Sequence, residues 1–223
     1  MSLIIGIVGF AGSGKNTVGD TLLREYQFKQ DSFAKPLKDV VALLFQWPRE
    51  LLEGDTAESR DWRETADIWW EEYLNWTQTR FVKQFPRFTP RVCLQLFGTD
   101  VFRKSFHDDI WILSLYNRLR NLNCNTVITD CRFPNELIAV KKLGGQVIRV
   151  KRGAEPEWYN TALYANRSNC DNSAQHHQKM VESNIHVSEW AWIGYEFDHV
   201  LQNDGTLNDL RQNIDQLMKD LIW

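Results

Sequence analysis

The chain has 223 residues, 26 Lys and Arg against 29 Asp and Glu, a formal net charge of −3 and 43% hydrophobic residues. That length suits one domain with room for an inserted lobe. The charge balance excludes a global basic field for nucleic acid or a membrane surface, so an anionic ligand must be met by a local group of Arg and Lys. No apolar run approaches the roughly 20 residues that a membrane span needs. The opening, MSLIIGIVGF, lacks a secretion signal's basic flank and small-residue cleavage site. Cys93, Cys124, Cys131 and Cys170 show no Cys-x-x-Cys spacing, so free thiols in a reducing, cytoplasmic compartment are expected. The five histidines form no metal-ligand pattern, and no metal held by protein ligands alone is expected.

LIIGIV, residues 3–8, reads as a buried strand ended by glycine. Residues 16–26 read as a helix, FKQDSFA as a short second strand, and KPLKDVVALLFQW as a helix with Pro36 in its first turn, stopped by Pro48. Residues 49–88 have a different texture, acidic, basic and aromatic. The spacing of Trp62, Trp69, Trp70, Tyr73 and Trp76 predicts one broad helical face within a helical lobe. TPRVCLQLFGTD predicts a helix capped by Thr89, opened by Pro90 and interrupted at Gly98. DDIWILSLYNRLRNL predicts an amphipathic helix with Asp108 and Asp109 at its positive end. TVITD, PNELIAVKKLGG and QVIRV then form strand, helix and strand, a right-handed parallel βαβ unit. Residues 153–175 are polar and read as a flap or plain loop, FDHVLQ as a last strand, and TLNDLRQNIDQLMKDLI as a closing helix with Thr206 at its cap.

The pattern Gly9-x-x-x-x-Gly14-Lys15 follows the first strand and opens the first helix, the context a phosphate loop requires. Glycines let successive N–H groups turn inward onto phosphate oxygens, and the helix adds its positive end. Gly12, Ser13, Gly14, Lys15, Asn16 and Thr17 are the expected ATP-phosphate contacts, with Lys15 stabilising transferring charge. Asn16 stands where switch and motor NTPases place a magnesium-binding Ser or Thr. GKNT instead matches the GK-x-T of small nucleoside monophosphate kinases, in which Thr17 would contact phosphate and phosphates and water hold most of the magnesium. The fold class expected is α/β, a P-loop NTPase three-layer fold with a central parallel sheet, an inserted helical substrate lobe near 49–88 and a short lid near 153–185.

Downstream, Asp130, Arg132 and Glu136 lie at the carboxyl end of a strand, where ligands of open α/β sheets gather. They read either as a magnesium-water and phosphate set or as a surface charge set. Arg91, Gln95, Gly98, Thr99 and Asp100 mark either a ligand-facing helix break or a capped kink. Lys35, Lys38, Arg60 and Arg63 supply local positive charge, Trp111 is either a base-stacking or a core residue, and Arg149, Lys151, Arg152 and Arg167 are candidate flap cations.

In the order GFAGSGKNT, AKPLKD, RDWRET, RVCLQLFGTD, DIW, VITDCRFPNE, GGQVIRVKR, HVSE and LQNDGTLNDL, nearly the whole chain resembles the bacteriophage-type deoxynucleoside monophosphate kinases. The resemblance implies transfer of the ATP γ-phosphate to a dNMP, giving dNDP and ADP, with Mg2+. It implies catalytic roles for Lys15, Arg132 and Asp130, and a dNMP site of Lys38, Arg63, Arg91, Gly98, Thr99, Trp111, Asp130, Arg132 and Glu136. It further implies a homodimer with ATP and dNMP as partners, without nucleic acid or membrane. The alternatives are a P-loop kinase of another small metabolite, phosphomevalonate or dephospho-coenzyme A in type, or a non-kinase P-loop ATPase. The latter expects a hydroxyl after the lysine and a carboxylate-rich second motif, for which the chain offers only VITD.

Overall fold

A computed structural model describes residues 2–120, 122–167, 172–183 and 185–222. In chain order its elements are β1 (Ile4–Val8), α1 (Lys15–Tyr26), β2 (Lys29–Asp31), α2 (Lys35–Phe45), α3 (Ala57–Glu64), α4 (Ile68–Tyr73), α5 (Pro90–Gln95), α6 (Ile110–Leu119), β3 (Thr126–Ile128), α7 (Pro134–Lys142), β4 (Gln146–Lys151), α8 (Tyr159–Asn166), α9 (Ser173–Glu182), β5 (His199–Gln202) and α10 (Leu207–Ile222). The chain divides into two units, Met1–Ser32 with Asn121–Trp223, and Phe33–Arg120. Cys170 and part of the 153–185 segment lie outside the described residues.

The first unit is built on five parallel strands in the order β2-β3-β1-β4-β5. Strands this apolar demand cover on both faces. Alternate residues Ile5 and Ile7 of β1 join Val18 and Leu22 of α1 and Leu210, Ile214, Leu217 and Met218 of α10 in one buried cluster. Each such side chain contributes about 1.5–3 kcal/mol of burial. Helix α7 packs against β1 and β4, and a Cβ at Gly6 would stand 2.9 Å from Val140 of that helix. The result is the three-layer P-loop NTPase fold expected from the sequence. The predicted strand, helix and strand from TVITD to QVIRV are present, but β1 lies between β3 and β4. The chain leaves β1 toward β2 and β4 toward β5, in opposite directions, so the sheet's topological switch point falls at the carboxyl ends of β1 and β4.

Four expectations about the elements need correction. Residues 153–175, read as flap or plain loop, contain α8 and the start of α9, which pack on each other. Strand β3 ends at Ile128, two residues short of Asp130. The third concerns the Trp-rich stretch of the second unit, which is not one helical face. Thr56 accepts the Ser59 N–H and Asp67 the Trp70 N–H, so α3 and α4 each start on their own cap. Trp76 falls beyond α4 in a separate short 3₁₀ turn. Trp76 is buried against Phe88, with ring centroids 4.9 Å apart, whereas Trp69 and Tyr73 are exposed.

Thr89 and Pro90 open α5 as expected, with the Thr89 hydroxyl accepting the Val92 N–H. Gly98 does not interrupt this helix. The helix widens into a π-helical segment, Leu96–Arg103, in which the Lys104 N–H reaches the Thr99 carbonyl. Two contacts favour the widening. Trp111 of α6 donates its indole N–H to the Gly98 carbonyl at 3.0 Å, and a Cβ on Gly98 would come within 2.9 Å of Leu37.

Candidate functional site

The phosphate loop runs from the end of β1 into α1. Gly14 caps α1 at φ +101, and Gly9 has φ +153. A Cβ at Gly14 would collide with the Asn203 amide, and one at Gly9 with the Val150 carbonyl. Both positions therefore combine an unfavourable φ with no room for a side chain. Gly14 offers no side-chain cap, and the first turn of α1 carries no acidic residue. The amino end of a 12-residue helix is thus left for an anion. The Ser13 side chain is buried in the loop, Asn16 is exposed and Thr17 half-buried.

Lys15 folds along this loop. Its ammonium donates to the carbonyls of Gly9 at 2.7 Å and Phe10 at 2.8 Å. Burial, and secondarily the nearby Arg132 guanidinium, lower its pKa from 10.5 to about 8, against the opposing pull of Glu189. A lysine so disfavoured as a cation gains most from an arriving negative charge.

The loop rests on parts that sequence reasoning did not assign to the site. Asn203, just past β5, donates its amide to the Ser13 carbonyl at 2.8 Å and covers Gly14. Its signal was present in LQNDG, at the carboxyl end of the predicted last strand. Phe10 packs on Trp192, centroids 4.8 Å apart, and on Trp158 at 5.5 Å. Beneath them lies Arg149, only 6% exposed, with its guanidinium 5.1 Å from the Trp192 ring centre and 5.2 Å from that of Tyr159. It donates to both Glu155 carboxylate oxygens at 2.7 Å and to the Tyr159 hydroxyl at 3.1 Å. Read from the sequence as a candidate flap cation, Arg149 is a buried strut under the phosphate loop.

Beyond β3, Asp130 is half-buried. Glu136 is 3% exposed and turns back on the chain, accepting the Arg132 N–H at 2.8 Å and the Phe133 N–H at 3.1 Å. It thereby fixes the turn that carries Arg132. The Arg132 side chain is half-exposed and donates to Ser188 Oγ at 3.1 Å and Glu189 Oε1 at 2.8 Å. The Cys131 thiol is fully buried and held above its usual pKa, first by burial and then by Asp130 and Glu136, which keeps it inert.

In the second unit, Lys38 donates to Glu53 Oε2 at 2.5 Å, and Arg49 takes the other oxygen of that carboxylate at 2.5 Å. Burial pushes the Glu53 pKa up, but the hydrogen bonds and charges of Lys38 and Arg49 outweigh it and hold the group ionised. Arg91 is paired with Glu64. Arg63 donates to the carbonyls of Leu52 at 3.4 Å and Glu53 at 3.2 Å. Gly98 is buried and Thr99 exposed on the π-helical segment. Trp111 is 6% exposed with its N–H on the Gly98 carbonyl, so it shapes that segment from the core. Lys38, Arg91 and Arg132 thus each face a glutamate. Among the described residues no group of three or more His, Cys, Asp or Glu is placed to hold a metal, and no helix is long and apolar enough to cross a membrane.

No family model matches the chain. Solved structures with similar folds include TT1252 from Thermus thermophilus, at 18% identity over 100% of this chain and 99% of that one with a TM-score of 0.44. Dephospho-CoA kinase from Campylobacter jejuni follows at 11% identity, 99% and 97% coverage and a TM-score of 0.43. Likenesses this distant carry no argument about chemistry. Curated sequences say more. The deoxynucleoside-5′-monophosphate kinase of Escherichia phage T5 is 29% identical over 181 residues, 61% of this chain and 70% of that protein. A protein of Acanthamoeba polyphaga mimivirus, whose name as a deoxynucleotide monophosphate kinase is assigned by inference, is 30% identical over 164 residues, 67% of this chain and 74% of that one. With a phosphate loop whose lysine is poised for anionic ligands, the chain is a nucleoside-phosphate kinase and belongs to the deoxynucleotide monophosphate kinase family.

Proposed function

We propose that the chain transfers the γ-phosphate of ATP to a deoxynucleoside 5′-monophosphate, releasing the diphosphate and ADP. The observation that carries this reading is the uncapped amino end of α1, with Lys15 held against the Gly9 and Phe10 carbonyls. The loop amides from Gly12 to Thr17 would hold the ATP phosphates. A monophosphate oxygen is already ionised at neutral pH, so attack needs no general base, and positioning and charge stabilisation carry the rate. Lys15 and Arg132 would neutralise the charge that spreads over the transferring group.

For the monophosphate, the candidates in the second unit are Lys38, Arg63, Arg91 and the Gly98–Thr99 backbone, with Trp111 shaping that backbone. In the first unit they are Asp130 and Arg132, with Glu136 fixing the Arg132 turn. Magnesium would be held mostly by phosphates and water, with the Thr17 hydroxyl and the Asp130 carboxylate as the hard oxygen groups of this chain that suit its shell. It would supply charge neutralisation along the phosphate chain.

Incubation with Mg·ATP and each of the four dNMPs and four NMPs, followed by separation of products, tests the reading. Formation of dNDP is expected. Turnover only of other small phosphorylated metabolites would move the assignment, and ATP hydrolysis without any acceptor would end it.

A further inference from the structure

The turn His186–Glu189 follows α9 and takes no part in the chemistry above, yet it holds Arg132. The Arg132 guanidinium can only donate, so the Ser188 hydroxyl oxygen, 3.1 Å away, accepts from it and keeps its own proton for another partner. His186 Nδ1 lies 2.8 Å from that oxygen, and the Ser188 backbone N–H also points to Nδ1 at 3.3 Å. Two donors converging on one ring nitrogen leave it unprotonated, so the imidazole is neutral with its proton on Nε2. Ser188 is only 8% exposed and sits between an exposed His186 and a half-exposed Arg132. The other oxygen-bearing partner of Arg132 is Glu189, one residue on.

We propose that His186 and Ser188 are positioning residues for phosphoryl transfer, forming a directed relay in which His186 orients the Ser188 hydroxyl and Ser188 aims the Arg132 guanidinium at the monophosphate. This rests on the reading of Arg132 as a phosphate-binding cation. Glu189 supplies the counter-charge and Ser188 the direction. The charged groups facing His186 are Arg132 and Glu189, and Lys15 faces the same two. Protonating His186 would convert its acceptor nitrogen to a donor and set a second cation beside Arg132. Burial and then Arg132 hold the His186 pKa below its usual 6.5, so the relay is intact at neutral pH and opens on the acid side.

The test measures steady-state kinetics with the dNMP that the parent turns over fastest, using S188A, S188T, H186A, H186N and R132A. Loss of a hydrogen bond to a charged group predicts about a tenfold rise in KM for dNMP in S188A and H186A. In the same variants kcat should also fall, because Arg132 neutralises charge on the transferring group, while the KM for ATP should stay within about twofold. The conservative variants S188T and H186N keep the hydroxyl and the acceptor and should restore most of the affinity. H186N should also lose the steeper acid limb of kcat/KM below pH 6.5, leaving only the titration of the substrate phosphate.

Relay variants with a parental KM for dNMP, beside an R132A enzyme that has lost affinity, would overturn the relay alone. An R132A enzyme with parental kinetics would overturn the Arg132 reading and the relay with it. Equal loss of kcat and both KM values in S188A, without rescue by S188T, would reduce the turn to a scaffold and overturn the proposal.

Discussion

Lys15 gives the sharpest prediction because its environment fixes both a direction and a size. The ammonium has two carbonyl partners, yet burial and Arg132 lower its pKa from 10.5 to about 8. That gap corresponds to about 3 kcal/mol against the charged form in the free protein. The unfolded chain keeps this proton up to about 10.5, whereas the folded chain keeps it only to about 8. The destabilisation is therefore complete below about 8 and is relieved as pH rises between the two values. A triphosphate on the loop reverses the balance by favouring the ammonium. At pH 8 about half the free molecules lack the proton, so ATP binding should take up about 0.5 proton per site. Calorimetric titration with ATP in two buffers of different ionisation enthalpy reads that uptake as a difference in apparent heat. Lys15→Met should abolish it and cost at least ~3 kcal/mol in the transition state, about a hundredfold or more in kcat. Equal heats in both buffers for the parent at pH 8, or near-parental turnover in Lys15→Met, would refute the reasoning.

Three further outcomes follow from single contacts. Gly14→Ala puts a Cβ into the Asn203 amide at a left-handed φ, so the KM for ATP should rise at least about tenfold while the KM for dNMP changes little. A parental ATP affinity in that variant would mean the loop is not built as described. Trp111→Phe keeps the ring but leaves the buried Gly98 carbonyl without its donor. Urea unfolding should show a loss of about 1–3 kcal/mol, and an unchanged midpoint would deny the bond. Glu64→Gln releases Arg91 from an exposed ion pair. Such pairs are worth about 0.2–1 kcal/mol, so the KM for dNMP should fall by roughly 1.4-fold to fivefold, and a rise would place Arg91 outside the monophosphate set.

The sheet was legible because each strand carries its own evidence. LIIGIV is apolar beyond alternation and ends at the phosphate loop, QVIRV is a short β-branched run, and FDHVLQ is a mixed run bounded by turn residues. The loop itself was legible because glycine spacing, strand and helix must all agree. The Trp-rich stretch misled, because aromatic spacing suggests one helix while the caps at Thr56 and Asp67 cut it into pieces. Capping is a one-residue signal that periodicity outweighs on paper and hydrogen bonds outweigh in the fold. The widening at Gly98 depends on Leu37 and Trp111, distant in sequence, so no local pattern could show it. Arg149 reads as a loop-edge cation until the aromatic walls contributed by Phe10, Tyr159, Trp192 and Phe197 come together. Tertiary meetings of this kind also account for several of the unusually numerous tryptophans.

Strands β2 and β3 are neighbours, parallel and paired residue for residue from Lys29 with Thr126 to Asp31 with Ile128. The entire Phe33–Arg120 unit is therefore one oversized crossover between two adjacent rungs of the sheet. A crossover's length and content can vary while the pairing of the strands it joins is kept. Lys38, Arg63, Arg91 and Trp111 all travel inside that cassette, whereas Lys15 and Arg132 stay with the frame. On the function proposed above, changes of acceptor would be confined to that cassette, and a chimaera grafted at Ser32 and Asn121 would carry one chain's acceptor preference onto another's ATP kinetics.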